Sequence, residues 1–402
     1  MEQPLKFGMI PEEKYPDYRY EVIFRAYKWD PQVEDHNTVA KQVLLMNKET
    51  ARQLELWAED LARETVMIEE ALVKKLALAK KLGLPKDILK ALDQLDEYDS
   101  SRNVRLMRFD FHPIDNGWAV SEVNSDVPGG MAEASVLPQI AAKYFDGYEP
   151  RKNIADSMVN AFHEKIKEQG TIAFVHATSY SDDRQVMEFL SNYFSKNKFK
   201  TFSAAPDHIK WKDKKAVSIL EGYEGELDGI IRFFPLEWLT NLPKKSDWRG
   251  YYDTLTPSCN HPIAIFAQSK RLPLVWDKLG ISIPTWKKLL PETLEPKAVN
   301  STDFEYIFKP ALGRVGEGIS MKEAISDKEY NRILKAARKY PGSWLAQRKF
   351  ISSPISAENR ENYHLCVGVF TVDGRSAGFY GRISPYTRID ARAKDIPILV
   401  EK

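Results

Sequence analysis

The sequence predicts a mixed α/β (α+β) protein whose N-terminal part is helical. Three observations indicate this class. Apolar residues recur at helical spacing in the first hundred residues, short β-rich runs alternate with a helical pattern from residue 171, and residues 363–399 form a final β-rich block. The 402 residues are enough for two to three domains at about 150 residues each.

The first strong helical signal starts at Thr50. Thr50 with Gln53 is typical of a capping box, and Gly83 with Pro85 predicts the end of the helical run. The spacing of three, four and seven between apolar residues predicts one amphipathic core helix. These residues are Leu54, Trp57, Leu61, Ile68, Leu72 and Leu76.

In the middle of the chain, the helical pattern gives way to alternating strand and helix patterns. The runs TIAFVHA, FKTFSAA and LDGIIRFFP are typical of strands, and RQVMEFLSNYF (184–194) is typical of a helix, so we expect a βαβ layer with parallel strands. The turn-rich segment 236–260 is expected to be a loop or crossover. The remaining predicted elements are a helix near 130–146, a helix at 268–279, a strand at 305–312, a helix at 327–340 and a strand at 344–350, with Pro150 as a possible boundary.

Composition excludes several classes of function. The net charge of +1 offers no bulk attraction to nucleic acid or to an anionic membrane. The two cysteines, Cys259 and Cys366, cannot form a disulfide framework or a multi-cysteine metal centre, and the seven histidines include no HxH or HxxxH pair. The N-terminus lacks an apolar segment and no run approaches 18 apolar residues, so we expect a cytoplasmic protein without a signal peptide or membrane span.

The most informative segment is VRLMRFDFHPIDNGWAVSEVNSD, residues 104–126. The period of two in a strand places Arg108, Asp110 and His112 on one face. The turn residues DNG predict a hairpin centred on Asn116.

In that register Asp110 lies opposite Glu122, and Arg108 lies opposite Asn124. Two carboxylates and an amide oxygen then meet on one face, a set that suits Mg²⁺ shared with substrate phosphates. The guanidinium of Arg108 would face an anion through its planar fork. The alternative is a solvated polar face that carries an ordinary ion pair of little energetic consequence.

A second signal is the segment YIFKPALGRVGEGISM, residues 306–321. Lys309 ends a β-rich run, and Gly313, Gly316 and Gly318 would let backbone N–H groups approach a phosphate closely. The segment matches neither a Walker A motif nor GxGxxG, so a glycine loop without a ligand remains the alternative. Lys270, placed at the start of a predicted helix, is by itself indistinguishable from a surface lysine.

The C-terminal block GFYGRISPYTRIDARAKDIPILVEK is rich in basic residues, namely Arg382, Arg388, Arg392 and Lys394. They could form a phosphate-facing pair of basic strands. The alternative is a mixed-charge edge strand that is kept soluble by its cations.

The segments RFDF, EVNSD, SKRLPLVWDKLG, FKPALGRVGEG, WLAQRKF and FTVDGRSAGFYGRIS occur in this order, followed by DIPILVEK. From about residue 20 to the C-terminus this order resembles the glutathionylspermidine synthetase family of ATP-grasp C–N ligases. The resemblance implies a permuted ATP-grasp-like fold, because the metal cluster precedes the lysines and the glycine loop. It also implies a helical region with the metal-binding hairpin (1–165), a βαβ pre-ATP-grasp layer (166–262), and an ATP-binding lid with the C-terminal core (263–402).

The resemblance also assigns roles to residues, with ATP and Mg²⁺ as cofactors. Arg108 resembles the catalytic arginine that stabilises the acyl phosphate. Asp182, Asp183 and Asp395 lie near positions that the family uses for its amine substrate or glutathione. The implied Mg²⁺ ligands are Asp110, Glu122 and Asn124. The implied ATP contacts are Lys270, Lys309, Gly313, Arg314, Gly316, Gln347, Arg382 and Arg392, with Arg388 in place of Arg392 if the register slips.

The implied activity is an ATP-dependent ligation of a small-molecule or peptide carboxylate to an amine through an acyl phosphate. The amine is a polyamine, an amino acid or a peptide, and it stays open because residues 127–130 (VPGG) replace the family's hydroxyl-bearing residues. The chain shows no amidase segment, so hydrolase activity is not expected. An ATP-grasp-type phosphotransferase and a non-catalytic ATP-binding regulatory protein are the alternatives, no nucleic-acid or membrane partner is expected, and the oligomeric state stays open.

Overall fold

The computed structural model describes residues 4–29, 31–95, 98–166, 168–242, 246–300, 305–313, 318–357 and 360–402. Within these ranges, helices and several sheets combine in a mixed α/β fold, which confirms the predicted class. No described helix is both long and apolar enough to cross a membrane. The longer helices are Tyr15–Arg25, Lys48–Lys74, Lys86–Asp93, Met131–Ala141, Ile154–Lys165, Ser181–Lys196 and Asp327–Lys339; the shorter ones are Leu76–Ala79, Gly250–Asp253, Ile265–Gln268, Pro273–Trp276 and Pro284–Leu289.

The longest helix, Lys48–Lys74, is the predicted amphipathic helix. Its apolar stripe faces the largest core cluster, where burial of each leucine-sized side chain stabilises the fold by about 1.5–3 kcal/mol. The stripe positions that are fully buried are Leu54, Leu61, Ile68 and Leu72.

Both predicted ends of this helix are wrong. The helix begins at Lys48, because the side chain of Asn47 caps it by accepting a hydrogen bond from the Thr50 N–H at 2.9 Å. Thr50 is therefore inside the first turn, and Thr50 with Gln53 is not the cap. The helix ends at Lys74, well before Gly83, and a separate short helix follows.

The central sheet holds the hairpin and most of the C-terminal β-rich block. The hairpin strands lie at one edge, next to the long strand Asn362–Val372, and all described pairings within this sheet are antiparallel. The strands run in the order Lys394–Ile396, Arg375–Ser384, Asn362–Val372, Leu106–Ile114 and Gly117–Asn124, with Ile355–Ser356 paired to Asn362–Val372.

The hairpin pairs Asp110 with Glu122 and Arg108 with Asn124, as predicted. Its turn differs, because Ile114 pairs with Gly117 and two residues form the connection instead of a turn centred on Asn116. The register shifts by one beyond Asp110, where Phe111 pairs with Val120. This bulge restores the predicted pairing at the site, because a β-bulge shifts the register and so changes which side chains lie opposite Asp110 and Arg108.

The predicted βαβ layer is present as a parallel sheet. Strand Thr171–His176 pairs in parallel with its neighbours on both sides, and helix Ser181–Lys196 connects it to the next strand. The order is Ser258–Cys259, Gly229–Phe233, Thr171–His176 and Lys200–Ala204. A small antiparallel sheet was not predicted, because its strands are too short to show a period. It is formed by Ile209–Lys212, Lys215–Ser218 and Gly225–Glu226.

The predicted helix 268–279 is wrong as one element. Helix Ile265–Gln268 stops at Ser269, whose backbone is extended, and a second short helix begins at Pro273. Proline suits the first turn of a helix but lacks the N–H that the helix interior needs, so a new helix begins at Pro273. Lys270 lies in the turn between the two helices, and its N–H donates to the carbonyl oxygen of Ala311 at 2.9 Å.

Lys309 lies on a small antiparallel sheet with the strands Thr293–Leu294, Trp344–Arg348 and Tyr306–Pro310. Helix Asp327–Lys339 packs against this sheet through Ile333 and Ala337, which join Phe308 and Ala346 in a separate small core. This smaller body carries the glycine segment, of which residues 314–317 lie outside the described ranges.

The N-terminal part is not purely helical. Strands Leu5–Met9 and Gln42–Met46 join Ile398–Glu401 and Tyr148–Glu149 in one sheet, with a two-stranded pair Gln32–Val33 and His36–Asn37 nearby in sequence. A short apolar run such as QVLLM fits a buried strand or a helix equally well, which is why the sequence pattern left it unassigned. The division into 1–165, 166–262 and 263–402 stays a prediction.

Candidate functional site

A cavity of about 760 Å³ opens between the central sheet, the parallel sheet and the lysine-bearing sheet. It brings together most of the residues that the sequence singled out, although they come from five segments of the chain. Those that line it are Arg108, Asp110, Glu122, Asn124, Lys270, Lys309, Gly313, Arg382 and Arg388, with Asp182, Asp183 and Asp395. Gln347 and Arg392 are not in the lining, and Arg314 and Gly316 lie outside the described residues.

Arg108 and Asp110 form a buried bidentate ion pair on one strand. The Arg108 Nε and Nη2 groups donate to the two Asp110 carboxylate oxygens at 2.7 and 2.9 Å. Nη1 donates to the carbonyl oxygen of Gly129 at 2.6 Å, and Asn124 Nδ2 donates to Asp110 at 3.0 Å. Burial opposes the charge of Arg108, but Asp110 outweighs it and raises the arginine pKa. A guanidinium held in this way is permanently charged and fixed in orientation.

Two glycines leave space at this site, one for Arg108 and one for the Tyr380 ring that contacts it. A Cβ on Gly368, on the neighbouring strand, would lie 2.7 Å from Arg108 Cδ, so only glycine lets the side chain cross that strand. Gly130 has a positive φ of 86° and precedes helix Met131–Ala141, where the Tyr380 ring leaves no space for a side chain. Tyr380 lies beneath the guanidinium at 5.1 Å, within the range of a cation–π contact.

Glu122 is held by a lysine from a distant segment. Lys270 Nζ lies 2.9 Å from Glu122 Oε2 and donates to the carbonyl oxygen of Gly313 at 2.6 Å. Burial alone would raise the pKa of Glu122, but Lys270 and Lys309 outweigh it and lower the pKa to about 2. The carboxylate is therefore ionised at neutral pH and available to a cation.

Lys309 has a neutral partner. Its Nζ donates to Gln347 Oε1 at 2.7 Å, and Gln347 Nε2 donates to Thr293 Oγ1 at 3.2 Å. Burial and the nearby cation of Lys270 lower the pKa of Lys309 to about 8, although Glu122 opposes them. Gln347 thus orients Lys309 from behind without neutralising it, so the charge of Lys309 remains available to an anion in the cavity.

His112 is neutral in this site. Its Nε2 lies 3.0 Å from Ser121 Oγ, and burial lowers its pKa to about 4 despite the proximity of Asp110. The residue lines the cavity beside the bulge. It therefore adds polarity without adding charge.

The C-terminal arginines gather around Asp390. Arg382, on strand Arg375–Ser384, donates to the backbone carbonyl oxygen of Asp390. Arg388 and Arg392 reach the Asp390 carboxylate at 2.8 and 3.3 Å. Arg388 lines the cavity, whereas the side chain of Arg392 is half exposed outside it. Of these two arginines, Arg388 therefore faces the cavity.

Buried polar groups hold the end of the hairpin in place. Gln268 Oε1 accepts hydrogen bonds from the N–H groups of Ser125 and Asp126, each at 2.9 Å. The fully buried Asp126 also pairs with Arg232 on the parallel sheet and accepts from the Leu236 N–H at 2.9 Å. Because Gln268 lies two residues before Lys270, its hydrogen bonds to Ser125 and Asp126 hold Lys270 close to Glu122. Gln268 and Arg232 were not predicted from the sequence, because only their spatial contacts distinguish them from other polar residues.

The donor set at the hairpin fits a hard cation such as Mg²⁺. Asp110 and Glu122 are directly opposite each other, and the Asn124 amide contacts Asp110. Among the described residues, no group of three or more His, Cys, Asp and Glu side chains could hold a metal ion by itself. A cation here would therefore need the Asn124 oxygen and oxygens from a substrate, as Mg²⁺ sites shared with phosphates do.

Comparison with known proteins identifies the family. The sequence model of the family described as glutathionylspermidine synthase preATP-grasp matches residues 9–401 of the chain. The chain belongs to this family. The resemblance that the motifs implied is thereby confirmed, and no curated protein matches the chain.

A solved structure shows the same fold at low sequence identity. A glutathione synthetase-like effector from Globodera pallida, in its apo form, is 12% identical, with a TM-score of 0.66 over 99% of this chain and 98% of that one. A putative gamma-glutamylcysteine synthetase from Methylobacillus flagellatus KT is 11% identical, with a TM-score of 0.42 over 82% of this chain and 86% of that one. The former confirms that this member of the glutathionylspermidine synthase family has a glutathione synthetase-like fold.

Proposed function

We propose that this protein is an ATP-dependent, ADP-forming ligase that joins a carboxylate to an amine. The observation that carries the proposal is the convergence of Arg108, Asp110, Glu122, Lys270 and Lys309 on one cavity. Phosphoryl transfer is catalysed mainly by positioning and charge stabilisation, and these residues supply cations for phosphate and carboxylates for Mg²⁺.

In the proposed reaction, a carboxylate oxygen of the substrate attacks the γ-phosphorus of ATP, and the bond from that phosphorus to the bridging oxygen breaks to release ADP. The amine nitrogen then attacks the acyl carbon, phosphate leaves with its oxygen, and the nitrogen loses a proton to give the amide. Asp110, Glu122 and Asn124 would hold Mg²⁺, which supplies charge neutralisation at the phosphates when bound.

The residues of the chain have separate tasks in this scheme. Lys309 and Lys270 bind phosphate oxygens as point charges. Arg382, on strand Arg375–Ser384, and Arg388, in the segment after that strand, line the same cavity. Three of the five N–H groups of Arg108 are engaged by described residues, which leaves donors for an anion that develops during acyl transfer. Neither cysteine is needed as a nucleophile, and both are buried.

The direct test is a screen of carboxylate and amine pairs for ADP release, with mass spectrometry of any new amide. A ligase releases ADP and free phosphate only when both substrates are present. A phosphorylated acceptor without free phosphate would indicate a phosphotransferase, and ATP binding without turnover for any pair would indicate a regulatory protein. Either result would contradict the proposal.

Lys309→Met is expected to raise the dissociation constant for ATP by roughly tenfold to a hundredfold, the equivalent of losing one or two charge-assisted hydrogen bonds. Methionine keeps the length and apolar stem, so the strand should pack as before. Calorimetric titration measures the effect. Lys215→Met removes an exposed lysine that pairs with Glu226 and serves as the control. Unchanged ATP affinity in Lys309→Met would exclude the assigned role.

The pKa of Lys309, at about 8, predicts a pH dependence of ATP binding. The lysine is cationic below this pKa and neutral above it, so ATP should bind about tenfold more weakly at pH 9 than at pH 7. Lys309→Arg stays cationic over this range and should lose that dependence. The measurement is the ATP dissociation constant from pH 6.5 to 9.5, and a steep profile retained in Lys309→Arg would assign the titration to another group.

A further inference from the structure

One wall of the cavity holds a lysine between two carboxylates. Lys28, from the segment after helix Tyr15–Arg25, places its Nζ 2.7 Å from Asp395 Oδ2 and 2.9 Å from Glu133 Oε1. Asp395 lies on the edge strand of the central sheet, and Glu133 lies in the first turn of helix Met131–Ala141. Their side chains are only 7% and 15% exposed, and that of Lys28 is 14% exposed.

Other polar groups accompany these ion pairs in the cavity wall. The Tyr380 hydroxyl donates to Asp395 Oδ1 at 2.6 Å and orients that carboxylate toward Lys28. Two further oxygens, Glu133 Oε2 and Thr38 Oγ1, are buried and have no hydrogen-bond partner among the described residues. All five residues line the cavity, so the site communicates with the space where substrates would bind.

The two carboxylates of Glu133 and Asp395 favour a cation between them. Two carboxylates in a buried wall repel each other and favour any ammonium that neutralises them. Burial by itself would lower the pKa of Lys28, but Asp395 and Glu133 outweigh it and raise the pKa well above the usual value. Lys28 is therefore firmly cationic, and its presence leaves only one net negative charge among the three ionisable groups.

We infer that Lys28 determines acceptor specificity by filling, from within the chain, the place where a second ammonium of the substrate would otherwise bind. The inference rests on the proposed amine ligase and narrows its substrate class. The acceptor is then an amine without a second ammonium to be held at this wall, such as an amino acid or a peptide N-terminus, rather than a diamine or polyamine. Lys28 acts as a specificity-determining residue and takes no part in the chemical step.

Removing the lysine should convert the wall into a site for a soluble diamine. Lys28→Met keeps most of the side-chain volume and leaves Glu133 and Asp395 without their cation. The full-length variant is expected to bind 1,4-diaminobutane at least tenfold more tightly than the unmodified protein in calorimetric titration at pH 7.5, with a matching rise in Tm. Neutral 1,4-butanediol, of the same length, should bind neither protein.

Three further variants make the result decisive. Lys28→Gln keeps a donor for the two carboxylates and should show the same gain, which covers the case in which the methionine variant does not fold. Adding Glu133→Gln to either should remove the gain. Lys143→Met, which removes a lysine paired with Glu21 on the exposed surface, should bind as the unmodified protein does.

Equal diamine affinity in the Lys28 variants and the unmodified protein would overturn the inference, as would a gain that persists after Glu133→Gln. The titration needs no ATP, so it is independent of the proposed ligase activity. If no substrate pair releases ADP while the Lys28 variants gain diamine binding, the ligase proposal fails and the ammonium site stands. If ADP is released while diamine binding does not change, the Lys28 inference alone fails.

Discussion

Glu122→Gln is expected to lower Mg²⁺-dependent ATP turnover by roughly a hundredfold to a thousandfold, the range found when one electrostatic group is removed from an active site. Glu122 is ionised because Lys270 and Lys309 hold its pKa at about 2, and it lies directly opposite Asp110. The amide of glutamine keeps the shape and still accepts a hydrogen bond from Lys270. It removes the negative charge that a divalent cation needs.

The measurement is kcat for ADP release across a series of Mg²⁺ concentrations, together with thermal unfolding. The variant should need more Mg²⁺ and remain slow at saturation, while its Tm stays near that of the unmodified protein. Glu226→Gln, which changes an exposed carboxylate that is paired with Lys215, provides the matched control. Turnover close to the unmodified value at every Mg²⁺ concentration would show that Glu122 is not a metal ligand.

Arg108→Lys is expected to reduce kcat by about a hundredfold to a thousandfold while changing the ATP dissociation constant by no more than about threefold. The guanidinium is fixed by both oxygens of Asp110 and by the carbonyl oxygen of Gly129, so its remaining N–H groups point in defined directions. An ammonium provides charge but not this planar fork. Lysine also leaves Asp110 with a cationic partner, whereas alanine would leave a buried carboxylate unpaired at a cost of about 3–5 kcal/mol.

Single-turnover kinetics would separate chemistry from binding for Arg108→Lys. The rate of the chemical step should fall, and calorimetric titration of ATP should give nearly the same affinity. Arg25→Lys changes an exposed arginine that pairs with Glu21 and controls for the substitution itself. A pure increase in KM with unchanged kcat would assign Arg108 to substrate binding instead of transition-state stabilisation.

The hairpin shows how far local patterns reach. Strand alternation and the DNG turn sufficed to predict the pairs Asp110–Glu122 and Arg108–Asn124, and the structure confirms them. Two details were wrong, since the turn is one residue tighter on one side and a bulge follows Asp110. The tighter turn shifts the register of the two strands by one residue, and the bulge shifts it back. The predicted pairs are therefore restored at the site.

Other errors have equally local causes. The apolar pattern around Lys270 continues across Ser269, so it hid the break at Ser269 and the turn that precedes Pro273. The start of the long helix was displaced because Asn47, rather than Thr50, accepts the hydrogen bond that caps it. Such choices between neighbouring polar residues depend on backbone geometry that a spacing pattern does not encode.

The sequence by itself determined the α/β class, the faces of the long helix and the hairpin, and, through its motifs, the family. Only the tertiary structure decided which distant partners meet: Lys270 with Glu122, Lys309 with Gln347, and Lys28 with Glu133 and Asp395. It also placed Arg388, rather than Arg392, in the cavity lining. The physical reason is range: periodicity reflects the local geometry of one helix or strand, whereas these ion pairs and hydrogen bonds depend on how whole sheets and helices pack together.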